Sequence, residues 1–174
     1  MKKLVHSVIW PAVAGNVLWS FLQLFADPDA CGPTLWSRLA SLFLVGVYLS
    51  IDWIHTENET QINDNYWIAD VPLAAALATF AVATQLGVPW ASIPLVVAFM
   101  VAAAGHCFGA WDARCKPPSS CKARAGFAII NVLGPVVLLF GSFLADSLAL
   151  WSKPAAVFVV VGLFLACRKI IAKW

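Results

Sequence analysis

The placement of lysine and arginine around six long apolar runs narrows what this chain can fold into more than any other feature. The runs cover residues 4–26, 35–54, 67–87, 89–110, 125–145 and 154–171. A helix needs about 20 mainly apolar residues to cross a hydrocarbon layer about 30 Å thick, so each run is of spanning length or close to it. Threaded in order from a cytoplasmic amino terminus, the chain leaves Lys2, Lys3, Arg114, Lys116, Lys122, Arg124, Arg168, Lys169 and Lys173 inside, and only Arg38 and Lys153 outside. Cytoplasmic flanks of membrane helices carry an excess of basic residues, and the reverse threading would put most of them on the wrong face. The expectation is an all-α polytopic membrane protein. It is one domain over residues 1–174, a bundle of six transmembrane helices in three hairpins with both termini inside, in a bacterial inner (plasma) membrane. The first run is longer than the roughly 7–15 residues of a secretory core and carries Pro11 and Asn16, so it reads as a retained span.

Polarity closes off other classes. With 61% hydrophobic and 11% charged residues, little is left for a soluble domain. The net charge of +2 resides in residues that set topology, and no aromatic and basic patch lies outside the membrane, so nucleic acid is not an expected partner. The bilayer is, together with a second copy of the chain or a partner membrane subunit. A membrane thiol oxidoreductase needs two cysteines on the oxidising side, where only Cys31 falls.

The third and fourth runs are joined by little more than Gly87, Val88 and Pro89 and must be antiparallel neighbours. Their alanines and glycines, including Gly105 and Gly109, suit close helix approach and predict that these two form the centre of the bundle. Trp10, Trp36, Trp53, Trp67, Trp90, Trp111 and Trp151 fall near span ends and read as interfacial anchors.

Two groups of polar residues remain. Toward the inner face, Tyr48, Asp52, His55 and Glu59 recur at intervals of four, three and four, one helical face if the second helix continues past Ile54. Asp70, His106, Asp112 and Asn131 lie on the same side of the membrane. An ionisable residue inside a span usually faces the bundle interior or water and suggests a functional site. The alternatives are interfacial residues at helix ends, Asp70 being favoured by the dipole of its helix, or pairing with Arg114 or Arg124. Asp52, His55 and His106 are the candidate metal ligands, since imidazole and carboxylate together suit zinc, iron or manganese. A haem between His55 and His106 is the lesser idea, as is zinc on His106, Cys107, Cys115 and Cys121, which lack a CxxC knuckle.

Toward the outer face, Asn16, Ser20 and Gln23 form a stripe on the first helix, with Thr84 and Gln85 at comparable depth on the third. Asn16, Ser20, Gln23, Gln85 and Asn131 are the candidate substrate or ion path, the alternative being interhelical hydrogen bonds that hold the bundle together. The leading functional expectation is a small transporter, channel or transporter subunit for a small molecule or ion. A membrane-embedded enzyme with a cytoplasmic-facing Asp/His site, with or without a metal, and a non-catalytic accessory or effector protein acting through oligomerisation are the two alternatives.

Overall fold

The computed structural model describes residues 5–59, 67–112, 118–142 and 146–171. Every regular element among them is helical. A π turn, Val5–Ile9, leads into α1 (Trp10–Ala26), and a 3₁₀ turn, Asp29–Thr34, into α2 (Leu35–Glu59). Then come α3 (Trp67–Leu86), a short 3₁₀ turn Pro89–Ala91, α4 (Ser92–Asp112), α5 (Pro118–Ser142) and α6 (Asp146–Ile171). Helix α2 runs on past Ile54, because no Gly or Pro interrupts the stretch to Glu59. Among the described residues, Ser7–Ala26, Ile68–Leu86 and Pro89–Gly109 are long and apolar enough to cross a membrane, and Leu35–Ile51, Arg124–Leu138 and Trp151–Leu163 are shorter apolar helices.

The turn between α3 and α4 shows why the chain reverses so tightly. Gly87 has φ +70°, open to glycine without steric cost. There its N–H donates to the Thr84 carbonyl at 3.2 Å and that of Val88 to the Ala83 carbonyl at 3.1 Å. This is the Schellman arrangement, which satisfies the last carbonyls of a helix and ends it.

Helix neighbours form a closed ring. In order around it stand α1, α2, α6, α5, α4 and α3, which returns to α1; α2 and α3, consecutive in sequence, touch only slightly. The pairs α1/α2, α3/α4 and α5/α6 pack as hairpins. The expected central position of α3 and α4 is not what the structure shows, since each has two principal neighbours like the other helices. Their small residues serve pairwise approach instead. A Cβ on Gly105 would stand 2.9 Å from that of Ala69, so α4 crosses α3 nearly backbone to backbone. The ring interior is filled by larger side chains, with Leu42, Tyr48, Leu77, Phe80, Leu95, Phe99 and Phe127 almost wholly buried.

The outside is apolar too. Leu18, Phe43, Val82, Met100, Ile129 and Phe158, one from each helix, are exposed. A helix that is hydrophobic all round belongs in a core or in lipid, and patches of this extent are rare on soluble monomers. Trp36, Trp90 and Trp151 are exposed near helix ends, as anchors require. Trp10 departs from that expectation. It is buried in the core, because the first turn of α1 lies against the neighbouring helices rather than at the rim of the bundle.

Candidate functional site

Polar groups inside an apolar ring are costly unless hydrogen-bonded, so their positions are informative. Among them Asn131 on α5 is fully buried. Its Oδ1 accepts from the Tyr48 hydroxyl of α2 at 2.9 Å, and its Nδ2 donates to the Phe127 carbonyl at 2.9 Å. The first bond joins helices that are not ring neighbours, and so crosses the interior. Tyr48 also meets Phe99 of α4 edge to face, with centroids 6.0 Å apart at 88°, which fixes its ring between two helices. Pro135 lies four residues after Asn131 inside α5. Having no N–H, it releases the Asn131 carbonyl from its usual i+4 donor, so side-chain and main-chain polarity coincide at one level.

Arg124, one turn before Phe127, is only 1% exposed. Seven residues of helix separate it from Asn131, about 10 Å at 1.5 Å per residue. His106 of α4 lies against Phe127, ring centroids 5.3 Å apart and tilted by 40°. Asp70 of α3 is buried one residue beyond the Ala69 contact with Gly105, and His106 is one residue beyond Gly105. Asp70, His106 and Arg124 thus occupy the same end of the ring, below the Tyr48–Asn131 bond. The burial of Arg124 is not evident from the sequence, because a basic residue ahead of an apolar run ordinarily marks the cytoplasmic flank.

Four of the expected inner-face residues, Tyr48, Asp70, His106 and Asn131, are therefore buried within the ring. Asp52, His55 and Glu59 lie on the last turns of α2 and Asp112 ends α4; their side chains lie outside those described. Of the metal set Asp52, His55 and His106, only the His106 side chain is described. Among the described residues no three His, Cys, Asp or Glu side chains gather as a metal site.

The outer stripe is engaged in packing α1 on α3. Asn16 Nδ2 donates to the Ala78 carbonyl at 3.1 Å, and the Ser20 hydroxyl to Gln85 Oε1 at 3.2 Å. Gln23 is half-buried on the same side. Bonds of this kind between membrane helices contribute about 0.6 kcal/mol on average and up to about 1.7. Asn16→Leu is accordingly expected to lower stability in detergent by about 1 kcal/mol, within that range, measured by thermal unfolding. A loss of function with unchanged stability would instead place Asn16 on a path.

No family model, curated protein or solved structure matches this chain.

Proposed function

We propose that the chain is a small transport protein of the bacterial inner membrane, six helices crossing with both termini inside, and that solute or ion passes through the ring by way of Tyr48 and Asn131. The observation that carries this is the Tyr48–Asn131 bond, a buried polar pair across the interior of the ring, beside a helix carbonyl freed by Pro135. Polar side chains and loosened helices inside the bilayer are typical of substrate and ion sites in transporters. Asp70, His106 and Arg124 continue the polarity toward the inner end, where ionisable groups usually face a water-filled cavity or one another.

In liposomes, the purified protein is expected to raise flux of at least one of protons, sodium, chloride and phosphate, followed with ion-sensitive dyes and isotopes. Properly inserted protein that moves none of these, nor any solute in a wider counterflow screen, removes the transport reading. The accessory reading would then take its place, and it is supported by the engagement of Asn16 and Ser20 in hydrogen bonds between α1 and α3.

The topology has a separate test. A membrane-impermeant maleimide applied to intact cells is expected to modify Cys31 and to spare Cys115 and Cys121. Labelling of Cys115 from outside would invert the orientation and, with it, the inner position of His106 and Arg124.

A further inference from the structure

The two basic residues that break the inside bias, Arg38 and Lys153, come from distant parts of the sequence, and the fold brings them to one pocket. Arg38 lies in the first turns of α2 and Lys153 near the start of α6, at the end of the ring where α3 turns into α4. The pocket, about 150 Å³, is lined by Ser37, Arg38 and Ser41 of α2, Thr84 of α3, the Gly87–Pro89 turn and Lys153. Its described lining residues include no carboxylate. Two cations facing one cavity are unfavourable by themselves. Lys153 is half-buried within the apolar stretch Trp151–Leu163. An anion between the two cations would offset both their mutual repulsion and the cost of burying them.

Thr84 supplies an independent observation. It is 1% exposed and lines the cavity, and its hydroxyl has no hydrogen-bond partner among the described residues. Threonine in a helix commonly donates to the carbonyl four residues back, as Thr79 does to Ala75 at 2.8 Å on this same helix. Thr84 makes no such bond, which leaves a buried donor on a residue that lines the cavity. The Arg38 guanidinium is held against Gly87, where an added Cβ would overlap it, so the missing side chain of the turn makes room for the cation. The opening of α2 adds the positive end of a helix dipole.

We propose that this outer pocket binds a small oxyanion with the chemistry of a phosphate group, Arg38 and Lys153 providing charge and Thr84 a hydroxyl donor. The planar guanidinium fork suits bidentate binding of such a group, and a water occupies about 30 Å³ in the liquid, so the cavity takes a group the size of a few waters and no nucleotide. The group is either free phosphate or the phosphodiester of an outer-leaflet lipid. The site does not depend on the transport reading.

Isothermal titration of the full chain in dodecyl maltoside, at constant ionic strength, tests it with two probes, inorganic phosphate and dioctanoyl phosphatidylglycerol. Saturable binding of inorganic phosphate assigns a soluble anion, and saturable binding of the lipid alone assigns the headgroup. Arg38→Gln and Lys153→Met are each expected to weaken that binding by roughly tenfold or more, the usual size of a lost charge-assisted hydrogen bond. Thr84→Val, which keeps the side-chain shape, is expected to weaken it by roughly threefold to tenfold. Absence of saturable binding of either probe overturns the site. So does unchanged affinity in Lys153→Met and Thr84→Val, even if Arg38→Gln fails to fold.

Discussion

Gly134→Leu is expected to prevent assembly of the ring, and Gly134→Ala to destabilise it by about 1–3 kcal/mol, the usual penalty for forcing atoms into a packed core. Gly134 lies where α5 meets both neighbours. A Cβ there would come within 2.7 Å of Val160 Cγ2 on α6 and 2.8 Å of Phe99 on α4. Phe99 also carries the edge contact to Tyr48, so the disturbance reaches the interior polar pair. Gly126 provides the control on the same helix, because a Cβ there would meet nothing within 4 Å. Gly126→Ala should be neutral or stabilising by up to about 1 kcal/mol, the helix-propensity difference between the two residues. Thermal unfolding in detergent checks the pair. Similar melting temperatures for Gly134→Ala and Gly126→Ala would show that α5 does not approach α4 and α6 as described.

The second large effect is expected at Asn131. Asn131→Leu removes the bond that joins the buried Tyr48 hydroxyl to α5, which should cost about 1–3 kcal/mol as a lost buried hydrogen bond. Tyr48→Phe removes the donor, and in the double variant no polar group of the pair remains. Stability should therefore recover toward wild type in the double variant, by the logic of a double-mutant cycle. Flux should not recover. If solute passes by this pair, Asn131→Leu and the double variant are both expected to lose flux by more than tenfold in liposomes. Flux that returns together with stability would make the pair a structural bond only.

How much of this was legible in the sequence differs from feature to feature. The tight α3–α4 reversal followed from Gly87 and Pro89, because positive φ and helix termination are local properties of those residues. The expectation that Asp70, His106 and Asn131 share one side of the membrane came from counting along each run. Their burial did not, since a helix that is apolar on every side gives little indication of which face meets protein and which meets lipid. Trp10 shows the consequence. Near the end of a run an indole reads as an interfacial anchor, yet the π turn and α1 pack so that it enters the core. Arg124 shows the same for a charge, counted by the sequence with the cytoplasmic flank and buried by the fold among α5 and its neighbours.

By itself the sequence determined the all-helical architecture, the limits of the apolar runs and the uneven distribution of basic residues, because helix propensity, hydrophobic length and turn chemistry are local and additive along a chain. Only the tertiary structure decided the ring order α1–α2–α6–α5–α4–α3, the Tyr48–Asn131 bond between residues 83 apart, and the meeting of Arg38 with Lys153. Neighbour order in such a bundle depends on close shape fits, such as Gly134 between Phe99 and Val160. Hydrophobicity is nearly the same on the inward and outward faces, so packing and hydrogen bonding select the partners.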